Sequence, residues 1–180
     1  MITIESPLKG MNIGTGTTIA IRELLGLHFI DIRVVPGSEA QAAIAKALGM
    51  DLPRPGLSWS GGRVNVLGLA PDWWLIVGYE DALQKLMPLK NEHHFSVVDV
   101  SGQRTTIELE GPNVKEVLAH LWEQDLREKG FPVGAVSQGL MVKAPVIVCH
   151  IAPLKYRVIV RSSFALHLWK ALVDAAEEWM

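Results

Sequence analysis

Polar residues recur every three or four positions near the end of the chain, at His167, Lys170, Asp174 and Glu177. Between them stand Leu166, Leu168, Trp169, Leu172, Val173, Ala175 and Ala176. The spacing predicts a helix from Phe164 to Trp179, apolar around most of its girth and buried on more than one side. Ser162 or Ser163 is placed to be its N-cap. A second helix is expected after Gly111-Pro112, with Val114, Val117, Leu118, Leu121 and Trp122 on one face and Pro112 at the first helical position. A third begins at Ser38, where Gln41 completes a capping box, and ends near Gly49. A short fourth runs from about Glu80 to Met87 and is stopped by Pro88.

Strand-like runs lie between these helices. Residues Phe29 to Val34 and Thr106 to Glu110 alternate apolar and polar, as half-buried strands do. Val64 to Leu67, Trp73 to Val77, Phe95 to Val100, Leu140 to Val142, Val146 to Ile151 and Tyr156 to Val160 complete the set. Val100-Ser101-Gly102-Gln103-Arg104 reads as a hairpin turn, with Gly102 at the permissive position.

The order of elements repeats. Leu69-Ala70-Pro71 and Ile151-Ala152-Pro153 are both apolar-Ala-Pro turns that lead into a strand and then a helix. Upstream, Pro36-Gly37 and Gly111-Pro112 each join an alternating strand to a helix, and Asp51-Leu52 and Asp125-Leu126 follow those helices. We therefore expect two β-α-β-β-α repeats related by pseudo-two-fold symmetry, over about residues 27–100 and 103–179 of one single domain spanning 1–180. Each repeat lacks one strand: Phe95 to Val100 completes the first, and the N-terminal run at about 17–21 crosses over to complete the second. The fold class is α+β, with mainly antiparallel sheets and helices packed against them.

Composition narrows the function. The chain has 180 residues, 49% hydrophobic, which fits either a dense core or apolar surface committed to a partner. Seventeen basic and 19 acidic residues are evenly spread and leave a net charge of −2, which speaks against nucleic acid and against a membrane surface. The N-terminal residues lack the basic start and apolar run of a signal peptide, so a cytoplasmic location is expected. Cys149, the single cysteine, follows Val146-Ile147-Val148 and reads as a small core residue of a buried strand.

The candidate chemistry is thin. Gly14-Thr15-Gly16 lacks the third glycine and the following helix of a dinucleotide fingerprint and reads as a flexible lead-in. The histidines, including His93-His94, His120, His150 and His167, have no zinc-site spacing and read as solvated. Ser101 near Asp99 has no nucleophile elbow around it, and Asp72 before Trp73 fits an ordinary turn. Lys9, Arg22 and Arg33 form no recognisable carboxylate clamp. We expect no catalytic, cofactor-binding or metal-binding residue in this chain. Six tryptophans are many for its length, and Trp73 and Trp74 point to opposite faces of one strand. Trp59, Trp73 and Trp74 are the expected interface residues, since tryptophan concentrates at interface hot spots.

Several segments, in order, resemble the sarcosine oxidase gamma subunit family over about residues 25 to 179. They are Leu48-Gly49-Met50-Asp51-Leu52-Pro53, Leu69-Ala70-Pro71-Asp72-Trp73-Trp74-Leu75, the run Val97 to Thr105, and Leu109-Glu110-Gly111-Pro112. Asp125-Leu126, Phe131-Pro132-Val133-Gly134 with Gln138, and Arg161 to Ala165 with Leu168-Trp169 follow. The resemblance implies a non-catalytic accessory subunit of a heterotetrameric flavoenzyme that oxidatively demethylates sarcosine or a related N-methyl amine. It implies larger flavoprotein subunits as partners, with FAD, FMN, NAD and tetrahydrofolate held there and not in this chain. It also implies a fold similar to the folate-binding domain of the glycine-cleavage aminomethyltransferase. The alternative is a free-standing folate-binding protein related to the iron–sulfur and tRNA-modification factors of that superfamily. Their Lys-Gly-Cys-Tyr-x-Gly-Gln-Glu motif corresponds here to Lys129-Gly130-Phe131-Pro132-Val133-Gly134-Ala135-Val136, which keeps the lysine and glycines only.

Overall fold

A computed structural model describes residues 5–15, 17–61, 63–79 and 81–180. The chain is α+β, with a six-stranded and a five-stranded sheet, each antiparallel at every described pairing, and four helices packed against them. Its residues cluster into two compact units, one of 26–101 and one that combines 1–25 with 102–180.

The 26–101 unit contains β3 (His28–Arg33), α1 (Glu39–Leu48), β4 (Ser58–Gly61), β5 (Val64–Ala70), β6 (Trp73–Gly78), α2 (Ala82–Leu86) and β7 (Ser96–Asp99). The strands lie in the order β4-β5-β6-β3-β7. Ser38 caps α1 by accepting the Gln41 N–H at 3.3 Å, while the Gln41 side chain accepts the Gly37 N–H at 2.6 Å. Gly49 ends the helix at φ +71°, a conformation that suits a residue without a Cβ. One face of the sheet packs Ile30, Ile32, Val66, Trp74, Ile76 and Val97 under Ala40 and Ile44 of α1 and Ala82 and Leu86 of α2.

The other unit contains β1 (Asn12–Gly14), β2 (Ala20–Leu24), β8 (Arg104–Glu110), α3 (Val114–Leu121), β9 (Val136–Met141), β10 (Ala144–Ala152), β11 (Lys155–Arg161) and α4 (Ala165–Ala176). Its strand order is β1-β2-β8-β11-β10-β9. Ile21, Ile107, Leu109, Val148, Tyr156 and Val158 form its core with Val117 and Leu118 of α3 and Leu168, Trp169 and Leu172 of α4.

Several local expectations are corrected. Residues 164–179 do not form one helix buried on two sides: only Ala165, Leu168, Trp169, Leu172 and Ala176 are buried, a single stripe at helical spacing, and Leu166 is 47% exposed. Neither Ser162 nor Ser163 caps it, because Ser162–Phe164 form a 3-10 turn that runs straight into α4. Pro112 precedes α3, whose N-cap is Asn113, and Trp122 stands just past the helix in an extended conformation. α2 does end just before Pro88, at Leu86 with Met87 as its C-cap, and Pro88 then falls at the start of a 3-10 turn over Met87–Asn91, where its missing N–H is not needed. Glu80, the expected start of that helix, lies outside the described residues.

Val100 to Arg104 is not a hairpin. Ser101–Gln103 form a 3-10 turn between β7 and β8, which belong to different sheets. Ser58–Gly61, unmarked by any apolar run, joins the sheet as an edge strand. Val142 leaves β9 and forms a two-residue turn with Lys143, at φ +44° and +69°. A β-branched residue rarely adopts that conformation, and the His167 ring nitrogen 2.9 Å from the Val142 carbonyl oxygen helps hold it. The N-terminal strand covers 20–24 and not 17–21, although it pairs with β8 as expected. β8 is not half-buried either, since Thr106 and Glu108 are buried along with Ile107 and Leu109.

Candidate interaction surface

The three tryptophans singled out from the sequence occupy three different environments. Trp74 faces the helices of the 26–101 unit, is 2% exposed, and donates its indole N–H to the Pro53 carbonyl at 2.8 Å. It is a core residue, because a buried indole needs an acceptor and Pro53 provides one. Trp73, next in register on the same strand, takes the opposite face and is partly exposed. Its N–H donates to Asp31 Oδ2 at 2.8 Å, and the Arg33 guanidinium lies 4.4 Å from its ring centroid. Arg33 also reaches Asp72 at 3.6 Å. The strand pairing explains the assembly: Arg33 sits directly opposite Trp73, and Asp31 lies two residues along β3 on the same face. A cation over an indole, itself tied to a carboxylate, makes a rigid amphipathic platform at the surface.

Trp59 is 52% exposed on the edge strand β4. It pairs with Val66, whose side chain enters the helix-side core, so Trp59 and Trp73 stand on opposite faces of the sheet. The fold does not bring them together. Val98, which the sequence did not single out, stands beside Asp31 across the β3–β7 pairing and is 49% exposed. Val35 follows at 65%. A cavity of about 300 Å³ opens beside Arg33 and Asp72, with Val35, Pro36, His94 and Phe95 in its lining. Nothing in the local sequence separates an exposed Val98 from a buried Val97; only the sheet register does.

Arg22, Lys9, Asp99 and Ser101 are each engaged by the fold. In the other unit Glu108 is 2% exposed, and one carboxylate oxygen accepts from Arg22 Nε at 3.0 Å and from Arg22 Nη2. Its other oxygen accepts from Arg157 Nε at 2.8 Å. Burial pushes this carboxyl up, but hydrogen bonds and charge from Arg157 and Arg22 outweigh it and hold the acid below its ordinary range. Both arginines lie directly across from Glu108 on β2 and β11, which is how a central strand tolerates a charge. Arg22 and Lys155 also pair with Glu110, at 3.6 and 2.9 Å. Lys9 pairs with Glu5 at 3.4 Å.

Asp99 caps the turn after β7 by accepting the Ser101 N–H at 2.9 Å, and Ser101 accepts the Phe29 N–H. The Cys149 thiol is buried, and desolvation pushes it up to about 12. His150 is not solvated as expected. It is wholly buried and stacked on Tyr156 at 4.2 Å, with Nδ1 2.8 Å from the Phe131 carbonyl oxygen. Phe131 itself packs edge-on against Trp122. Phe131 is thus a core aromatic. Gly14 belongs to a strand and not a flexible lead-in: a Cβ there would fall 2.0 Å from the Ile19 carbonyl oxygen, so it is a close-approach glycine of the β1–β2 pairing. Gly16 lies outside the described residues. Among the described residues no three His, Cys, Asp or Glu side chains converge as metal ligands, and no helix is long and apolar enough to cross a membrane.

The model of the sarcosine oxidase, gamma subunit family matches residues 36–178. The chain is 30% identical over 170 residues to the sarcosine oxidase subunit gamma of Corynebacterium sp. (strain P-1), covering 92% of this chain and 83% of that protein. With the protein of the same name from Corynebacterium sp. (strain U-96) it shares 28% over 181 residues, covering 98% and 88%. Among solved structures, a chain of the heterotetrameric sarcosine oxidase from Corynebacterium sp. U-96 in complex with pyrrole 2-carboxylate matches with TM-score 0.87 and 28% identity, covering 98% of this chain and 90% of that one. The glycine cleavage system aminomethyltransferase T from Bartonella henselae shares the fold, with TM-score 0.62 and 15% identity over 87% of this chain and 46% of that one.

Proposed function

Since the chain belongs to the sarcosine oxidase gamma subunit family, we propose that it is a non-catalytic accessory subunit of a cytoplasmic heterotetrameric flavoenzyme. Larger partner subunits hold FAD, FMN, NAD and tetrahydrofolate and carry out the oxidative demethylation of sarcosine or a related N-methyl amine. The observation that carries the reading is the whole-chain match to one chain of a heterotetramer. It is supported by how the acids and bases are used. The Glu108 carboxylate is engaged by Arg22 and Arg157, Asp99 caps a turn, and Cys149 is buried in a strand. Each is held by the fold.

We further read the two units as descendants of one duplicated precursor. β4, β5, β6, β3 and β7 stand in their sheet as β9, β10, β11, β8 and β2 stand in theirs. α1 follows β3 as α3 follows β8, and α2 follows β6 as α4 follows β11.

Absorbance and turnover of the purified chain test the accessory reading. The reading predicts no flavin bands after desalting and no oxidation of sarcosine by the chain alone. Flavin retained in stoichiometric amount, or turnover without a second subunit, would place chemistry in this chain and overturn it.

A further inference from the structure

The two sheets differ at one edge. In the six-stranded sheet β2 flanks β8, and β1 covers the outer side of β2 through Asn12↔Arg22, Ile13↔Ile21 and Gly14↔Ala20. In the five-stranded sheet β7 flanks β3 in the same way, but no described strand lies outside it. The Val100 N–H donates to the Phe29 carbonyl at 2.8 Å, which sets the phase of the β3–β7 ladder. By the alternation of antiparallel pairing, Ser96 and Val98 bond inward to β3, and the N–H and C=O groups of Val97 and Asp99 face outward. An outward row of unpaired main-chain groups is a template for another strand.

The surroundings suit an incoming chain. The Val97 side chain is anchored in the core at 6% exposure, while Val98 is half-exposed. Val98 shares its sheet face with the Trp73–Arg33 platform. The 300 Å³ cavity includes Ser96, the first residue of β7, in its lining, together with the apolar Val35, Pro36 and Phe95. Edge addition gains affinity from main-chain hydrogen bonds and specificity from side chains seated in adjoining pockets.

From this geometry we propose that an extended segment of a larger partner subunit adds to β7 as a sixth, antiparallel strand and seats an apolar side chain in the cavity beside Phe95. The proposal rests on the accessory-subunit reading. β1 on β2 shows that this fold accepts an antiparallel strand at the equivalent position. A β7-to-β7 pairing between two copies would join only four residues a side, Ser96–Asp99, where a specific interface takes about 20–30 residues a side.

Amide hydrogen exchange resolved to single residues, on the full chain alone and co-assembled with its large flavoprotein subunits, tests the proposal. The expected result is exchange slowed at least 100-fold at Val97 and Asp99 on assembly, with Val98 little changed because its N–H already bonds to β3. Val98→Lys should weaken assembly at least tenfold and leave the unfolding midpoint of the free chain in place, whereas Leu140→Lys, on the exposed edge of the other sheet, should change neither assembly nor the midpoint. A complex that forms with Val97 and Asp99 exchanging as in the free chain overturns the strand addition and leaves the accessory reading standing. Failure of any complex to form overturns both. Protection that instead grows with the concentration of the chain alone assigns the edge to a second copy and also overturns the proposal.

Discussion

Three leucines on the two long helices of the 1–25/102–180 unit should differ sharply in what they contribute. Leu172 of α4 is fully buried among Leu168, Trp169 and the sheet core, Leu121 of α3 is partly buried, and Leu166 of α4 is 47% exposed. Leu172→Ala removes three carbons from the core, about 2.4 kcal/mol of transfer free energy at about 0.8 per carbon. A residual cavity on the order of 50 Å³ adds about 1.2 kcal/mol at about 24 cal/mol per Å³. The total is about 3.6 kcal/mol, within the range of measured buried Leu→Ala changes. Leu121→Ala should cost about 1–2 kcal/mol, because part of its surface is already in water. Leu166→Ala should stay within about 0.5 kcal/mol. Urea unfolding followed by tryptophan fluorescence reads this directly. With a slope of about 2 kcal/mol per molar, Leu172→Ala should lower the midpoint by about 1.8 M, and Leu166→Ala by at most about 0.25 M. A Leu166→Ala cost equal to that of Leu172→Ala would show α4 buried on two sides and refute the single-stripe description.

Glu108 gives a pH signature. Its carboxyl is held below the ordinary value of 4.5, so its contribution is complete above the unfolded value and is lost as pH falls through the folded one. Glu108→Gln should therefore cost about 1–3 kcal/mol at pH 7 and flatten the acid limb of the stability profile; an unchanged acid limb would show the Arg22 and Arg157 contacts to be idle. Cys149, with its thiol pushed up to about 12, should resist alkylation by iodoacetamide at pH 8 in the native chain and react promptly in denaturant, as mass spectrometry would show. Trp73→Ala should weaken binding to the large subunits, by at least tenfold if the Arg33 platform is a hot spot, and Trp73→Phe by less, as measured by calorimetry.

Periodicity alone located most of this fold. The strands at Trp73 and Tyr156 and the helices after Ser38 and Gly111 are read directly from apolar spacing, because tertiary packing reinforces what the local pattern prefers. The misses share a cause. Ser58–Gly61 and Asn12–Gly14 carry little apolar signal and are strands only because a neighbouring edge supplies hydrogen bonds. Val142 looks like strand and lies in the turn, since the β9–β10 register leaves two residues to reverse the chain. The exposed site was less legible still. Trp73 and Trp74 were separable as a pair by alternation, but which one faces the core depends on where the helices lie. Val98 owes its exposure to the place of β7 at the end of its sheet, which no local pattern marks.

The central claim is that this chain works inside a larger assembly, and native mass spectrometry of the chain purified by a tag from its own cells tests it most directly. The account predicts a stable complex in which one copy of the 19.8 kDa chain travels with larger flavin-bearing subunits at fixed stoichiometry. A spectrum dominated by the free 19.8 kDa chain, with the flavoprotein subunits assembled in full without it, would contradict the account.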